Sequence, residues 1–317
     1  MQIDKDTQAL IDERVKNNAP PLESFTPQEL RDIRAKMAET PVELRVNLSH
    51  VDDFFVEGTL GPIKLRKYFD GMSSNANGEK NPLIIYFHGG GFVMGDLESH
   101  DLVCRHLCKG TKATVIAVDY KLAPENKFPA SIIDAQDAII KIIKEAENLK
   151  IDKNKIILCG DSAGGALATV GTIMSRDNIV PKVHGQILVY PWVDLTMCRR
   201  SMDINLEGMI LNKSTIEYFA NHYLNSYEEQ VDWRASPILT PDLSGLPTTY
   251  IFGAGLDPLV DEGDAFRRRL LSFGNEVYYR LFPGQMHAFL SNSVQLPTAL
   301  ICLKEMSEAA KNIFSKL

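Results

Sequence analysis

The architecture of this chain is decided by the stretch Ile156-Ile157-Leu158-Cys159-Gly160-Asp161-Ser162-Ala163-Gly164. Its apolar first part predicts a buried β-strand, and the small and apolar residues 165–170 that follow it predict a helix. Between them lies a serine with a glycine two positions before it and another two positions after it. This pattern is typical of a strained strand-to-helix turn that exposes a nucleophile, because side chains at the flanking positions would clash. We therefore predict that Ser162 is a nucleophile at the end of a strand.

Short apolar runs alternate with helical stretches on both sides of this turn. Near-continuous apolar strands separated by helices are typical of a mostly parallel sheet covered on both faces. The fold class is therefore predicted to be α/β, with a mostly parallel central sheet flanked by helices. The predicted strands are 51–57, 63–69, 83–87, 114–118, 156–159, 186–190, 248–252 and 277–282, and 131–146 and 261–273 are two of the predicted helices.

One segment interrupts this alternation, and together with helices predicted at the N-terminus it is expected to form a helical cap above the carboxyl edge of the sheet. In the N-terminal part, Thr26 and Glu29 form a capping box, with Pro27 at the first helical position. In the interrupting segment, apolar residues from Ile216 to Leu224 follow helical spacing. We expect residues 1–48 and 195–235 to form the cap, and residues 49–194 and 236–317 to form the catalytic core.

A glycine-rich loop, His88-Gly89-Gly90-Gly91-Phe92, follows the predicted strand 83–87 directly. Acyl transfer develops negative charge on a carbonyl oxygen, and exposed backbone N–H groups stabilise such a charge with little reorganisation. Consecutive glycines let the backbone approach a substrate closely. The glycines of this loop do not have the G-x-G-x-x-G spacing of a dinucleotide-binding loop. The Walker pattern does not fit either, because the chain has no Gly-Lys pair. The loop is therefore predicted to form an oxyanion hole.

A nucleophilic serine also needs a base, and the chain has seven histidines. In this architecture the base comes last in chain order, after the nucleophile and the acid. His184 precedes a strand, which places it at the wrong edge of the sheet, and His222 lies beside the apolar stripe of the cap helix. His287 follows the strand 277–282 at the edge where Ser162 is expected. We predict that His287 is the base.

The acid is expected between these two residues, and Asp257 has the right place. It follows the predicted strand 248–252, one strand before the histidine strand, and there it would hold the tautomer of the imidazole. Asp194, which follows the preceding strand, is the alternative. Asp261 and Glu262 are expected to interact favourably with the dipole of the next helix instead.

One set of residues has the spacing of metal ligands. His100, Cys104 and Cys108 would form a single stripe on a helix, but no matching Cys or His cluster occurs elsewhere in the sequence. Buried thiols are the simpler interpretation. We therefore expect neither a metal nor a cofactor.

Taken together, these motifs resemble the hormone-sensitive-lipase-like family of α/β-hydrolases, in its branch with a Gly-Asp-Ser-Ala-Gly motif. The resemblance covers about residues 51–290 and implies the α/β-hydrolase fold with a helical cap. It depends on a series of motifs in a fixed order: His88–Phe92, Gly95-Asp96-Leu97-Glu98, Asp119-Tyr120-Lys121-Leu122-Ala123-Pro124-Glu125, Gly160–Gly165, Asp257-Pro258-Leu259 and His287.

The resemblance also implies a function for each of the matching residues. Ser162, Asp257 and His287 would be the nucleophile, acid and base of a serine carboxylesterase that hydrolyses short- to medium-chain esters through an acyl-enzyme. The oxyanion hole would be formed by backbone amides of the glycine loop and the elbow, namely Gly90, Gly91 and Ala163, with Gly89 shaping the turn. The chain departs from the family at three positions near these motifs, with Lys121, Ala166 and Ala288 in place of the usual Arg, Asn and Gly.

Two alternative functions remain open. The same triad cleaves amide bonds, so an amidase or deacetylase is the first alternative. A ligand-binding receptor on the same scaffold, similar to the plant gibberellin receptor, is the second. That receptor has lost the catalytic histidine, whereas His287 is present here.

Composition limits the partners and the location. Lys and Arg number 34 against 41 Asp and Glu, a net charge of −7, which argues against a nucleic-acid partner. The apolar runs are far shorter than the roughly 18 residues of a membrane helix, and residues 1–6 lack the basic and apolar regions of a signal peptide. The five cysteines match no disulfide framework. We expect a soluble, cytoplasmic enzyme with a small-molecule ester substrate, and the sequence leaves open whether it forms a homodimer.

Overall fold

An eight-stranded sheet forms the centre of the structure, a computed structural model that describes residues 2–37, 44–71 and 80–317. The order of its strands is β1-β2-β4-β3-β5-β6-β7-β8. β2 is antiparallel to both of its neighbours, and the remaining pairs are parallel. The strands are β1 (His50–Gly58), β2 (Gly61–Phe69), β3 (Asn81–Phe87), β4 (Thr114–Asp119), β5 (Ile151–Asp161), β6 (Gly185–Val189), β7 (Thr249–Leu256) and β8 (Val277–Met286).

Helices cover both faces of this sheet in the described part of the chain. α4, α6 and α8 contribute to the core on one face, and α3 and α9 to the core on the other. The helices are α1 (Lys5–Lys16), α2 (Pro27–Met37), α3 (Asp101–Thr111), α4 (Ala130–Lys144), α5 (Ala146–Leu149), α6 (Ala163–Arg176), α7 (Lys213–Tyr223), α8 (Val260–Ser272) and α9 (Thr298–Ser315).

The two cores arise from the alternation of side chains along each strand. In β3, Leu83, Ile85 and Phe87 face one core, while Ile84 and Tyr86 face the other. Because both faces are buried, apolar residues occupy successive positions instead of alternating with polar ones. The predicted α/β class with a mostly parallel, helix-covered sheet is confirmed.

The predicted N-terminal helices are also present, as α1 and α2. The backbone N–H of Thr26 donates to the Glu29 carboxylate over 2.8 Å, and the N–H of Glu29 donates back to the Thr26 hydroxyl over 3.3 Å. Pro27 is the first residue of α2. The capping box is therefore confirmed. Residues 38–43 of the predicted cap lie outside the described residues.

Parallel strands bring their carboxyl ends to one edge of the sheet, and four of these ends carry the predicted functional residues. His88 follows β3 and Ser162 follows β5, while Asp257 follows β7 and His287 follows β8. Residues that are up to 199 positions apart in the chain therefore meet at this edge.

No helix in the described ranges is both long enough and apolar enough to cross a membrane.

Candidate active site

Ser162 occupies a strained backbone position between β5 and α6. Its φ of 53° and ψ of −121° lie in a region that L-residues rarely adopt. The elbow is held by two hydrogen bonds, from the N–H of Ser162 to Val189 O (2.9 Å) and from the N–H of Trp192 to Ser162 O (3.0 Å). At Gly164 a Cβ atom would collide with the Phe87 carbonyl, so a side chain is excluded there. The turn thus presents the Ser162 hydroxyl at the end of the sheet.

Ser162, His287 and Asp257 form one continuous hydrogen-bonded chain. The Oγ of Ser162 lies 2.9 Å from Nε2 of His287, and Nδ1 of His287 lies 2.7 Å from Oδ2 of Asp257. With the proton on Nδ1, the imidazole donates to the carboxylate and accepts from the hydroxyl. Asp257 is fully buried, and Ser162 and His287 are only 7% and 5% exposed. The arrangement suits proton transfer from a hydroxyl to an imidazole.

A second hydrogen bond fixes the orientation of the Asp257 carboxylate. Its Oδ1 accepts from the backbone N–H of Leu259 over 2.8 Å, which leaves Oδ2 for His287. The alternative acid, Asp194, does not contact the histidine. Its carboxylate instead forms an ion pair with Arg199 over 3.0 Å and accepts from Thr196. Of the two sequence candidates, the structure brings only Asp257 to His287.

The glycine loop lies beside the serine with free backbone donors. In the described part of the chain, the amides of Gly90, Gly91 and Ala163 have no hydrogen-bond acceptor. The amide of Gly89 is different because it donates to Oδ1 of Asp161 over 2.9 Å. Gly89 therefore anchors the turn, and its N–H is not available to an oxyanion. At Gly90, φ is +122° and a Cβ would collide with the Met94 carbonyl, so this position requires glycine.

A network of buried polar side chains holds the glycine loop in place. Asp161 accepts from the Tyr86 hydroxyl over 2.7 Å and lies 3.3 Å from His100 Nε2. Burial by itself would raise the pKa of Asp161, but the charge and hydrogen bond of His100 and the hydroxyl of Tyr86 lower that pKa to about 2. Asp161 is therefore an anion that holds Gly89 in place.

His88 completes this network as a neutral group. It is buried, its Nδ1 donates to Gly89 O over 2.8 Å, and its ring stacks on Tyr120 with centroids 4.3 Å apart. Burial, followed by the neighbouring His100, lowers the pKa of His88 to about 4. This histidine therefore stabilises the loop and is not a base.

A cavity of about 150 Å³ opens onto Ser162 and His287. The glycine loop and the elbow line it on one side, and residues of the segments 1–48 and 195–235, which were predicted as a cap, line it on the other. The apolar lining residues from these two segments are Leu22, Leu30, Ile33, Ile210, Leu211, Ile216 and Phe219. Phe219 packs so closely on Gly91 that a side chain at Gly91 would collide with its ring.

The remaining sequence candidates lie elsewhere. His184 directly precedes β6, and its backbone N–H donates to Ile156 O in the middle of β5 over 2.8 Å. His222 contacts Tyr218 on α7. Cys104 and Cys108 are buried in the core, and burial raises the pKa of both thiols. In the described ranges no three His, Cys, Asp or Glu side chains are grouped so that they could hold a metal ion.

Several residues of the cavity are not part of any motif and were missed by the sequence analysis. Two of them are arginines of the N-terminal helices, Arg14 on α1 and Arg34 on α2. The contact of His100 with Asp161 was missed as well. The helical spacing of His100 with two cysteines indicated its buried face, but no local pattern indicated that it would meet Asp161.

The comparisons with known proteins agree on the family to which this chain belongs. A family model described as alpha/beta hydrolase fold matches residues 84–291. A carboxylic ester hydrolase of Mycobacterium tuberculosis is 36% identical over 250 residues, which are 76% of this chain and 65% of that protein. An arylesterase of Saccharolobus solfataricus is 36% identical over 67% of this chain and 69% of its own length. Among solved structures, a hyperthermophilic esterase of the archaeon Pyrobaculum calidifontis has a TM-score of 0.90 at 32% identity and covers 99% of both chains.

Proposed function

Because this chain belongs to the α/β-hydrolase fold family, in its hormone-sensitive-lipase-like group, we propose that it is a serine carboxylesterase that uses Ser162, His287 and Asp257. The class of reaction follows the relatives, which are named as esterases and carboxylic ester hydrolases. The observation that carries the assignment of residues is the unbroken chain of hydrogen bonds, 2.9 Å and 2.7 Å long, from a strained serine to a buried carboxylate.

In the first half of the reaction, the Ser162 hydroxyl attacks the ester carbonyl carbon while its proton passes to Nε2 of His287. Asp257 stabilises the imidazolium that forms and holds its tautomer. The electron pair of the carbonyl bond moves to oxygen, and the amides of Gly90, Gly91 and Ala163, which have no other acceptor among the described residues, donate to that oxyanion. Collapse of the tetrahedral intermediate expels the alcohol, which takes its proton from His287.

In the second half, water replaces the alcohol. His287 removes a proton from the water as it attacks the acyl carbon of the ester formed on Ser162. The carboxylic acid leaves, and the proton returns from His287 to the Ser162 oxygen. The same donors stabilise the second oxyanion, so one site serves both halves.

Hydrolysis of p-nitrophenyl acetate and of the matching p-nitroanilide tests the proposed activity. We expect the ester to be cleaved at a rate that Ser162→Ala abolishes, and the anilide to be cleaved far more slowly. Faster cleavage of the anilide would make the enzyme an amidase. A fluorophosphonate should add one phosphonyl group to the peptide that contains Ser162, and labelling of another residue would refute the assignment of the nucleophile.

For the architecture, the proposed division is a core of 49–194 and 236–317 with a cap of 1–48 and 195–235. Contacts between the two cap segments support it. The Tyr218 hydroxyl donates to Phe25 O over 2.9 Å, and the Thr215 hydroxyl donates to the Glu23 carboxylate over 2.7 Å. Both segments also contribute walls to the cavity above Ser162. The two segments would therefore cover the substrate as one unit.

For the environment, a cytoplasmic location and a homodimer are the proposals to test. All five cysteines are free, as expected where thiols stay reduced. β8 is an edge strand that pairs only with β7 in the described sheet, so its outer side offers a surface for a second copy. Fractionation of the cells and sedimentation of the purified protein would test the two proposals separately.

A further inference from the structure

Two arginines of the cap line the cavity that contains the proposed catalytic serine. Arg14 lies on α1 and Arg34 on α2, and both side chains are half-buried. In the described part of the chain, the other cavity residues from the two cap segments are largely apolar, so these two guanidinium groups are the charged groups on that side of the cavity. Charged groups are costly to keep in an apolar cavity unless they have a partner.

The hydrogen bonds of these arginines use few of their donors. The Nη2 of Arg34 donates to Ser291 O over 3.3 Å and to Ser99 O over 3.5 Å, and the Nε of Arg14 donates to Gly208 O over 2.9 Å. A guanidinium has five N–H donors. The remaining N–H groups of both side chains therefore have no acceptor among the residues that the structure describes.

Among the residues that the structure describes, neither arginine has a carboxylate partner. Within residues 2–37, 44–71 and 80–317, no Asp or Glu oxygen lies within 4 Å of Arg14 or Arg34. Arg31, one turn before Arg34 on α2, shows the contrast because it is paired with Glu125 over 2.7 Å.

The two carboxylates whose charges act on Arg34 already have hydrogen-bond donors of their own. Asp161 accepts from Tyr86, Gly89 and His100, and Asp96 accepts from the N–H of Ser99 over 2.7 Å. Burial lowers the pKa of Arg34, although the charges of Asp161 and Asp96 oppose that effect. An arginine remains protonated under these conditions. The cavity is therefore lined by two guanidinium groups with donors to spare, since Nε and Nη1 of Arg34 and both Nη atoms of Arg14 have no acceptor among the described residues.

We propose that Arg34, assisted by Arg14, binds a carboxylate on the substrate, so that the enzyme prefers esters that carry an anionic group. A guanidinium and a carboxylate form parallel hydrogen bonds, which are strongest where water is scarce. The inference builds on the proposed ester hydrolysis at Ser162. It adds that one part of the substrate ends in a carboxylate, in either the acyl or the alcohol half.

Two matched pairs of substrates test this preference and locate the carboxylate. Mono-p-nitrophenyl glutarate and its methyl ester place a charged or a neutral group on the acyl half. 4-Acetoxybenzoate and its methyl ester place these groups on the alcohol half. For each pair, kcat/KM is measured in the wild type, Arg34→Gln, Arg34→Lys and Arg14→Gln. Arg200→Gln is the matched control, since Arg200 is an exposed cap arginine that does not line the cavity.

In at least one pair, Arg34→Gln should lower kcat/KM for the anionic ester about tenfold more than for the neutral ester. Arg34→Lys should restore part of that difference, and Arg200→Gln should leave both values unchanged. If Arg34 only fastens α2 to the carbonyls of Ser291 and Ser99, its loss will lower both values equally. Equal losses in both pairs would overturn the proposal.

A binding measurement separates this inference from the proposed activity. Titration of the wild-type protein with phenylacetate and with phenylacetamide compares an anion with a neutral molecule of the same shape. We expect phenylacetate to bind at least about tenfold more tightly, with that advantage lost in Arg34→Gln. Equal affinities would contradict the anion site even in an active esterase. A preference for the anion in a protein without esterase activity would refute the activity alone.

Discussion

At the level of single residues, the carboxylate of Asp257 is held in one orientation, because each of its two oxygens accepts one hydrogen bond. Oδ1 accepts from Leu259 N, and Oδ2 accepts from Nδ1 of His287. An asparagine of the same shape keeps the first bond but can present an N–H group to Nδ1. The imidazole would then be held in the wrong tautomer, with its proton on the nitrogen that faces Ser162.

We therefore expect Asp257→Asn to lower kcat by at least about a thousandfold while the fold is preserved. Steady-state kinetics with p-nitrophenyl butyrate and a thermal melt measure these two effects. Asp194→Asn is the matched control, and it should retain activity because Asp194 pairs with Arg199 instead of His287. An active Asp257→Asn enzyme beside an inactive Asp194→Asn enzyme would assign the acid to Asp194.

His88 gives a prediction for the effect of pH on stability. Its pKa of about 4 in the folded protein is below the ordinary value of 6.5. At this position the unfolded chain therefore binds a proton more readily than the folded protein does. The free energy of unfolding is not reduced by this effect above about pH 6.5, and it decreases as the pH falls towards 4. Between pH 7 and pH 4 the free energy of unfolding should decrease by about 3 kcal/mol from this group.

Urea unfolding at these two pH values checks this effect. In His88→Gln the free energy of unfolding should decrease between pH 7 and pH 4 by about 3 kcal/mol less than it does in the wild type. His50→Gln, which replaces an exposed histidine, should keep the wild-type pH dependence. An unchanged decrease in His88→Gln would show that His88 is not neutral in the folded protein.

Among the secondary-structure elements, α7 is the one that we expect to limit the length of the acyl chain. Ile216 and Phe219 project from it into the cavity and are buried. Each methylene that enters the cavity should add up to about 0.8 kcal/mol until the space is filled. We expect the best turnover for acyl chains of roughly two to eight carbons, because longer chains would remain partly in water.

A series of p-nitrophenyl esters from acetate to palmitate measures this limit. Ile216→Ala should shift the optimum towards longer chains, since it removes part of the cavity wall. Ile301→Ala, which truncates an exposed isoleucine on α9, should leave the optimum unchanged. Rapid hydrolysis of triolein, or a sharp rise in rate at the lipid interface, would show instead that the cap opens as a lid.

Local patterns predicted the strands that are buried on both faces, but not their full length. Residues 83–87 were predicted as a strand, and β3 runs from Asn81 to Phe87. β5 was predicted to begin at Ile156, whereas it begins at Ile151 and includes the polar residues 152–155. Ile151 pairs with Asn81 and Ile156 pairs with Leu83, so the polar residues between them lie at an irregularity in the register with β3, and such pairing depends on residues distant in sequence.

At the scale of the whole molecule, the sequence predicted which side chains come together at the edge of the sheet but not which residues surround them. Ser162, Asp257 and His287 could be identified because each follows a predicted strand, and parallel strands end at one edge. The order of the strands and the position of Arg34 could not be predicted. Arg34 lines the cavity from α2, and α2 is joined to the residue after the glycine loop by Arg31, which donates to Val93 O over 2.8 Å. No local pattern encodes that long-range contact.

The concerted action of Ser162 and His287 is best tested with the two single variants and the double variant. Because both residues serve one proton transfer, Ser162→Ala and His287→Ala should each lower kcat/KM for p-nitrophenyl butyrate by at least about a thousandfold. The double variant should be no less active than either single variant. His222→Gln, at a cap histidine outside the cavity, should retain activity. A single variant that keeps more than about a tenth of the activity, or losses that multiply in the double variant, would contradict the proposed triad.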